Sequence, residues 1–544
     1  MATIKAPFNF VPLSEKVYFP NWADQISQDI PFEDGISGTI ELKITAQTPI
    51  FVRNGHTKSD ADDKNEDYKS FSKSPDGKYF IPGTSIKGAI RNVLEIMSFG
   101  KMSKQRFQNQ SFGIRDLSTS ADGTFYRDKI RTENVHCGWL RLKDDVYCLK
   151  DCGLPWRISV EKIDSKLGTN FVEFVKNADN FRIDYNRTAK KKYELAEGKS
   201  LTNTFSADED TRAKLSVGNR QFVNFDEDGK EGSIVFTGQP GERKISGKTK
   251  SGKDTWKGKF FEFVFPSESI REFEVDEYVI KEFLSIYKNS PDYKDFRKQQ
   301  LFEGEEIPVF FLYDENRSVA AIGLSYMFKY PAFNTVYNAV RLDFLSDEKD
   351  MSECLFGCTN ADDSLKGRVS FSNAFVIENY GIEAETKVVL SEPNPSYYPF
   401  YLGDGQTWNS GKVELAGRKR YPVRANIHSS TFGTDSMSSS MIPLSKGTEF
   451  VGKVLFHNLK PCELGAILSA ILFHNEKDCS HSLGAGKPYG YGNVKVEVLN
   501  MEQEEIVSYL NSFESEMTAL CADWKNSPVF TFVLSKNDNP ASSF

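Results

Sequence analysis

Between Phe450 and Val498 the sequence prescribes a strand, a helix, a glycine-dense loop and a second strand, in that order, and few folds accommodate this. Phe450, Gly452, Val454 and Phe456 alternate with Val451, Lys453 and Leu455, the two-residue period of a strand with one buried face. Pro461 is tolerated in a first helical turn, and Leu464, Ile467, Leu468, Ile471 and Leu472 follow at helical spacing. Val494, Val496 and Val498 alternate with Lys495 and Glu497, a strand again. The loop between helix and last strand, Ser482 to Gly492, reads Ser-Leu-Gly-Ala-Gly-Lys-Pro-Tyr-Gly-Tyr-Gly. Glycine permits backbone angles closed to other residues and lets another chain approach closely, so Gly484, Gly486, Gly490 and Gly492 predict a loop that lies against something. Lys487 supplies a positive charge there. A tight connection alone accounts for the same glycines.

Two familiar phosphate loops do not fit. A Walker loop requires glycine where His481 stands and Ser or Thr where Pro488 stands. The dinucleotide fingerprint requires glycine in place of Tyr489, after a strand and before a helix, the reverse of the order found. Strand, helix, loop and strand instead form the second half of a ferredoxin-like, or RNA-recognition-motif-like, unit. Its first half is legible far upstream. Ile40, Leu42, Ile44 and Ala46 alternate with polar residues as a strand. Tyr79 to Arg91 reads Tyr-Phe-Ile-Pro-Gly-Thr-Ser-Ile-Lys-Gly-Ala-Ile-Arg, with Thr84 and Ser85 as N-cap residues of a helix through Ile86, Ile90, Val93, Leu94 and Met97. Lys87 and Arg91 are four apart, which puts their charges on one helix face, suited to an RNA backbone.

The glycine loop after the second helix, and the proline-glycine-serine turn into the first, resemble the two hallmarks of the RAMP superfamily, which forms the RNA-binding backbone of type III CRISPR effector complexes. The resemblance covers about half the chain and is closest to large RAMP proteins carrying an insertion. It implies an α+β fold with a ferredoxin-like RAMP core, and partners that are guide RNA, target RNA and other effector subunits. In target-cleaving members the loop between first strand and first helix holds a catalytic aspartate. The corresponding polar loop here offers Asp60, Asp62, Asp63 and Asp67, which can hold a divalent ion such as Mg2+, although its composition is first that of a solvated loop. Cys354-Leu-Phe-Gly357 followed by Leu365 to Ala374 resembles the family segment leading into the next strand, which would turn Arg368 toward RNA.

The remaining sequence is assigned around that core. Residues 1–110 carry its first part, opened by a proline-rich arm up to residue 36. Residues 111–340 form a large β-rich insertion, or a second degenerate RAMP unit, with strands over Cys137–Val160, Gly232–Gly238 and Lys259–Phe265 and a helix over Val275–Tyr287. Residues 341–500 carry the second part of the core, and 501–544 a polar helix, a strand-like run over Val529–Leu534 and a tail. The basic runs Lys190–Lys192 and Lys244, Lys248, Lys250, Lys253, Lys257 and Lys259 are phosphate contacts or solvated loops. Phe400, Tyr401, Trp408 and Tyr421 interleave with Arg418, Lys419, Arg420 and Arg424, a mixture of stacking faces and guanidinium groups that suits single-stranded RNA and also occurs on ordinary edge strands.

Composition limits these readings. A net charge of −8 argues against a free-standing nucleic-acid binder, so basic residues must be concentrated locally. No apolar run reaches membrane-spanning length, and the first ten residues lack a secretory pattern, so a cytoplasmic protein without a membrane partner is expected. Eight cysteines over 544 residues imply no disulfide framework. Cys148 and Cys152, and Cys354 and Cys358, with His136 and Cys137 near the first pair, make zinc conceivable. Their spacing departs from a zinc knuckle, and reduced, buried cysteines are expected. Metal-free RNA cleavage needs a base near a ribose hydroxyl, for which His56, His428, His474 and His481 are available.

Overall fold

The computed structural model describes residues 7–54, 66–102, 111–131, 134–171, 189–210, 221–238, 244–248, 254–257, 259–359, 364–390, 401–428 and 438–534. The chain divides into two compact units. The first comprises Met1–Phe107, Asn338–Gln406 and Lys412–Phe544, and the second Gln108–Tyr337 and Thr407–Gly411. No helix of the described residues is long and apolar enough to cross a membrane.

The first unit opens with the proline-rich arm, which packs rather than projects: Phe8, Phe10, Val11, Tyr18 and Trp22 are buried. Its strand β1 (Asn9–Val11) leads to β2 (Ile36–Ala46), β3 (Phe80–Ile81) and α1 (Gly83–Met97). After the second unit come α2 (Met351–Phe356), β4 (Val369–Phe371), β5 (Ala374–Val376) and β6 (Arg418–Arg420). The last stretch supplies β7 (Glu449–Leu459), α3 (Pro461–Leu472), β8 (His481–Ser482), β9 (Asn493–Val498), α4 (Gln503–Leu520) and α5 (Pro528–Leu534).

Seven of these strands form one antiparallel sheet ordered β8-β9-β2-β7-β5-β3, with β4 also on β7. Its centre is β2, whose Ile40 and Ile44 face Val454 and Phe450 of β7, while Ile44 also faces Val496 of β9. Side chains alternate across a strand, so this register turns Ile40, Leu42, Ile44, Phe450, Val454 and Val494 to one face, all but fully buried. On that face α3 packs against α1 and α4, and α5 against α1. Each fully buried Leu or Ile of α3 contributes about 1.5–3 kcal/mol relative to exposure. The opposite face carries charges paired along and across strands: Lys43 with Glu449 and Glu497, and Lys453 with Glu41 at 2.8 Å.

Two sequence expectations are corrected in this unit. The run Val529–Leu534 is a helix, not a strand. Its β-branched and aromatic residues favour a strand in isolation, but helical spacing brings Val529, Phe530 and Val533 together into the core, with Phe530 against Trp524 at 4.6 Å between ring centroids. Thr84 and Ser85 are not caps. The helix begins at Gly83 behind Pro82, and the Gly83 amide donates to Asn373 Oδ1 at 3.0 Å, which replaces a side-chain cap.

The second unit is built on two five-stranded antiparallel sheets. One orders Trp156–Ser159, Phe261–Pro266, Lys230–Val235, Thr202–Ala207 and Val223–Phe225, and the other Arg271–Glu274, Val146–Asp151, His136–Lys143, Ile307–Tyr313 and Val319–Gly323. The run Lys190–Lys192 is not a uniform basic patch. Lys191 pairs with Glu194 at 3.0 Å, and Lys192 is buried against Glu262 at 2.7 Å, with the Thr237 carbonyl also at 2.7 Å. Lys259 shares the same carboxylate at 2.6 Å. The side chains of Lys244, Lys248, Lys250, Lys253 and Lys257 lie outside the described residues.

Two ammonium groups on one buried carboxylate have a measurable consequence. Burial, together with Lys192 and against the pull of Glu262, holds Lys259 down at about 7 from its ordinary 10.5. Between those values the unfolded chain binds a proton that the folded unit does not, so stability rises with pH across that window and the gain is absent below it. Urea titration of hydrogen exchange at Lys230–Val235 is expected to show up to about 2 kcal/mol more protection at pH 9 than at pH 7. Lys259→Met is expected to flatten that dependence; an unchanged slope would rule out the assignment.

Candidate functional site

Three segments of the first unit converge: the first turns of α1, the limb of the glycine loop from Ser482 to Lys487, and β6. The loop's path is set by its glycines. Gly484, Gly486, Gly490 and Gly492 all have left-handed φ, between 74° and 92°. A Cβ on Gly492 would lie 1.8 Å from the Leu483 carbonyl oxygen, and one on Gly490 2.2 Å from that of Asn426. The surface against which these residues lie is therefore the chain itself. Gly486, Gly490 and Gly492, expected to meet RNA, shape the turn: Gly490 packs on the segment after β6, and Thr48 Oγ1 donates to its carbonyl at 2.7 Å. Pairing of Phe10 with Lys419 fixes β6 in turn.

The three segments border a half-open cavity of about 600 Å³ whose lining includes Arg53, Thr84, Ser85, Asn92, Lys419, Arg420, Tyr421, Gly484 and Lys487. Its described lining contains four basic side chains and no Asp or Glu. Burial lowers Arg420 to about 10; among the described residues its guanidinium makes a 3.5 Å bond from Nη1 to Asn92 Oδ1 and lies 5.8 Å from the centroid of the Phe473 ring. Burial and the neighbouring Arg420 push the Lys487 ammonium below its ordinary value. Lys487 makes no side-chain hydrogen bond or ion pair among the described residues. Lys419 is stacked, with its Nζ 3.9 Å from the centroid of Phe8. Arg53 is braced over the Tyr68 ring at 3.9 Å, with Nη2 on Ser439 Oγ at 2.7 Å. Two neighbouring, partly desolvated cations without a carboxylate between them attract an anion strongly.

Of the residues expected to bind RNA, the cavity collects Lys419, Arg420, Gly484 and Lys487. It does not collect Lys87 and Arg91. They share a face, as their spacing predicts, but that face turns to Phe356, whose ring lies 5.1 Å from Lys87 Nζ, and Arg91 Nε bonds Glu95 at 2.7 Å. The face toward the cavity is that of Ser85, Gly88, Ala89 and Asn92. Arg418 points away and is spent on the carbonyls of Gly100 (2.6 Å) and Lys101 (2.8 Å) and on Glu95. Arg368 is a correction of a different kind. It is completely buried, with its Nη groups on the Glu463 carboxylate and on the Asn458 carbonyl, and it holds the core rather than facing a ligand. Arg53 and Asn92 were missed, although the helical spacing Ser85, Gly88 and Asn92 outlines the face to which Asn92 belongs.

The expected chemistry elsewhere has less to stand on. Asp60, Asp62 and Asp63, and His56, lie outside the described residues, as does the side chain of Asp67. His474 is buried between Ser469 Oγ and Glu514. His481 is buried with Nε2 3.0 Å from the Ile471 carbonyl, and burial lowers it to about 4, so it is a neutral donor to that oxygen. Both are structural, which corrects their candidacy as bases. The pairs Cys148/Cys152 and Cys354/Cys358 belong to different units. Burial raises Cys152 to about 11 and pushes Cys354 up, which keeps both thiols protonated. Among the described residues, no group of three or more His, Cys, Asp or Glu can hold a metal ion.

The family model described as "RAMP superfamily" matches residues 43–299. That span starts in β2, includes α1 and ends before the glycine loop. No curated protein matches. Among solved structures, Csc2 of Thermofilum pendens is 16% identical over 36% of this chain and 52% of that chain, about half its length, with a TM-score of 0.14. A chain of a CRISPR RNA-guided surveillance complex in a pre-nicking state is 10% identical, covering 90% of this chain and 89% of that one at a TM-score of 0.22. A chain of the type III-B Cmr-beta complex bound to cognate target RNA is 12% identical, covering 85% and 97%, at a TM-score of 0.20.

Proposed function

We propose that this chain, which belongs to the RAMP superfamily, is an RNA-binding subunit of a type III CRISPR ribonucleoprotein and holds the RNA backbone at the cavity between α1, β6 and the glycine loop. The observation that carries the reading is the pair Arg420 and Lys487. They are adjacent, partly desolvated and, among the described residues, without a counter-ion, in a protein whose net charge is −8. Concentrating cations at one lined cavity, while the outer sheet face neutralises its own charges, is what binding one stretch of phosphate requires. Contacts of this kind position a nucleic acid without reading its sequence, so recognition depends on sequence weakly.

The ferredoxin-like reading of the core rests on strand order. Taking β2, β5, β7 and β9 as strands one to four, with α1 after the first and α3 after the third, the sheet order is four, one, three, two. The second unit is then a β-rich insertion between the first helix and the second strand. Guide RNA is the ligand, with target RNA and other effector subunits as partners in a cytoplasmic complex. Cleavage of target RNA through Asp60, Asp62 or Asp63 with Mg2+ draws no support from the described residues.

The test is to express the chain with a CRISPR array, purify it through a mild salt wash and sequence the RNA that accompanies it. Array-derived RNA of uniform length is expected. RNA of random sequence, lost at moderate salt, would overturn the guide-binding reading.

A further inference from the structure

The cavity is larger and less polar than a phosphate site needs to be. A volume of about 600 Å³ falls in the range, roughly 300–1,000 Å³, of pockets that enclose a whole organic ligand. Its charges are also not evenly spread along the chain. Arg420 and Lys487 interact with one another, whereas Val52, Ala89, Val93, Leu483 and Ala485 give apolar wall, and Tyr421 adds an aromatic ring. An apolar wall weakens binding of a bare anion, which stays better hydrated in an open basic groove. The wall gains purpose only if something apolar or aromatic comes in with the anion.

Asn92 supplies what such a ligand would need in order to be read. It sits on the α1 face that lines the cavity, and Arg420 already occupies its Oδ1 at 3.5 Å. Among the described residues the carboxamide N–H groups make no hydrogen bond, and they can donate to an acceptor on a base edge. Tyr421 has its ring edge-on to Phe8, with centroids 6.1 Å apart, so the N-terminal arm braces it. Aromatic faces held in this way are the usual stacking partners of unpaired bases.

We propose that the cavity is a single-nucleotide pocket, which takes the phosphate of one ribonucleotide at Arg420 and Lys487 and its base at the apolar wall, Tyr421 and Asn92. This rests on the anion-binding reading of the same cavity and narrows it from a backbone contact to one nucleotide. The nucleotide is either everted from a bound RNA, at an unstacking cost that is smallest in a single strand, or free in solution.

The test is calorimetric titration of the full-length, RNA-free protein with AMP, CMP, GMP and UMP, and with inorganic phosphate. At least one mononucleotide is expected to bind ten-fold or more tightly than phosphate. Asn92→Ala is expected to erase most of that margin, read as the ratio of mononucleotide to phosphate affinity in the same variant because the substitution also releases Arg420 from Asn92 Oδ1; alanine is the better helix former, so loss of fold does not explain the result. Equal affinity for phosphate and all four mononucleotides would overturn the nucleotide pocket and leave the anion site standing. Absence of both would overturn the two together. A short single-stranded RNA that displaces the mononucleotide identifies an everted residue as the natural occupant; simultaneous binding of both identifies a free nucleotide.

Discussion

The double variant Arg420→Glu with Lys487→Glu is expected to lose RNA, with affinity reduced on the order of a hundredfold or more. Each substitution removes a favourable phosphate interaction and adds a repulsive one, in a cavity where water screens charge poorly. Lys487→Glu alone separates this from misfolding, because its side chain holds no described residue in place. The control is Lys87→Glu with Arg91→Glu. Those residues are also basic and lie on α1, but on its Phe356 face and outside the cavity lining, and affinity is expected to stay within about threefold because they contact no phosphate held in the cavity. Filter binding across a salt series decides: equal losses in the two double variants would show that the RNA follows the helix surface and not the cavity. A pH series adds a second signature. Since Lys487 titrates below its ordinary value, RNA affinity is expected to weaken as pH rises through that lowered value, and Lys487→Arg, charged throughout, is expected to remove the dependence.

That control exists because sequence and structure disagree about α1. The helix itself is plain from Ile86, Ile90, Val93 and Leu94, and so is the pairing of Lys87 with Arg91 on one face. Which face meets the ligand is not a property of the helix. It is decided by where the glycine loop, some four hundred residues later, comes to rest, and periodicity carries no information about that. The glycine loop shows the opposite balance. Its density of glycine correctly signals close approach, and all four residues have the left-handed φ that explains them. What approaches, however, is the chain's own Leu483 and Asn426 carbonyls. Only the limb carrying Gly484 and Lys487 borders the cavity. Tertiary packing also overrides local preference at Val529–Leu534, where β-prone residues form a helix because the core takes their i, i+1 and i+4 side chains.

Arg368 shows why a basic residue in a motif is not by itself a ligand contact, and it carries the largest expected effect on stability. Its guanidinium and the Glu463 carboxylate are both completely buried. The carboxylate has further duties: it accepts the Lys460 amide at 2.9 Å at the start of α3 and the Trp22 indole N–H at 3.2 Å from the N-terminal arm. The guanidinium also donates to the carbonyls of Cys354 and Asn458, at 3.1 and 2.6 Å. One ion pair thus ties together the arm, α2, the end of β7 and α3. Removing one partner strands the other charge in the core, so Arg368→Ala is expected to destabilise the first unit by about 3–5 kcal/mol. Arg368→Lys is expected to recover only part of this, because an ammonium cannot match the two-pronged contact. Replacing both charges, as Arg368→Met with Glu463→Gln, is expected to be milder than Arg368→Ala, since no buried charge is left unpaired. Hydrogen exchange at β2 and β7 under increasing urea measures the first unit without the second. If Arg368→Ala lowered protection there by less than about 1 kcal/mol, the pair would be dispensable to the fold. The residue would then be free for a ligand role that its burial otherwise denies it.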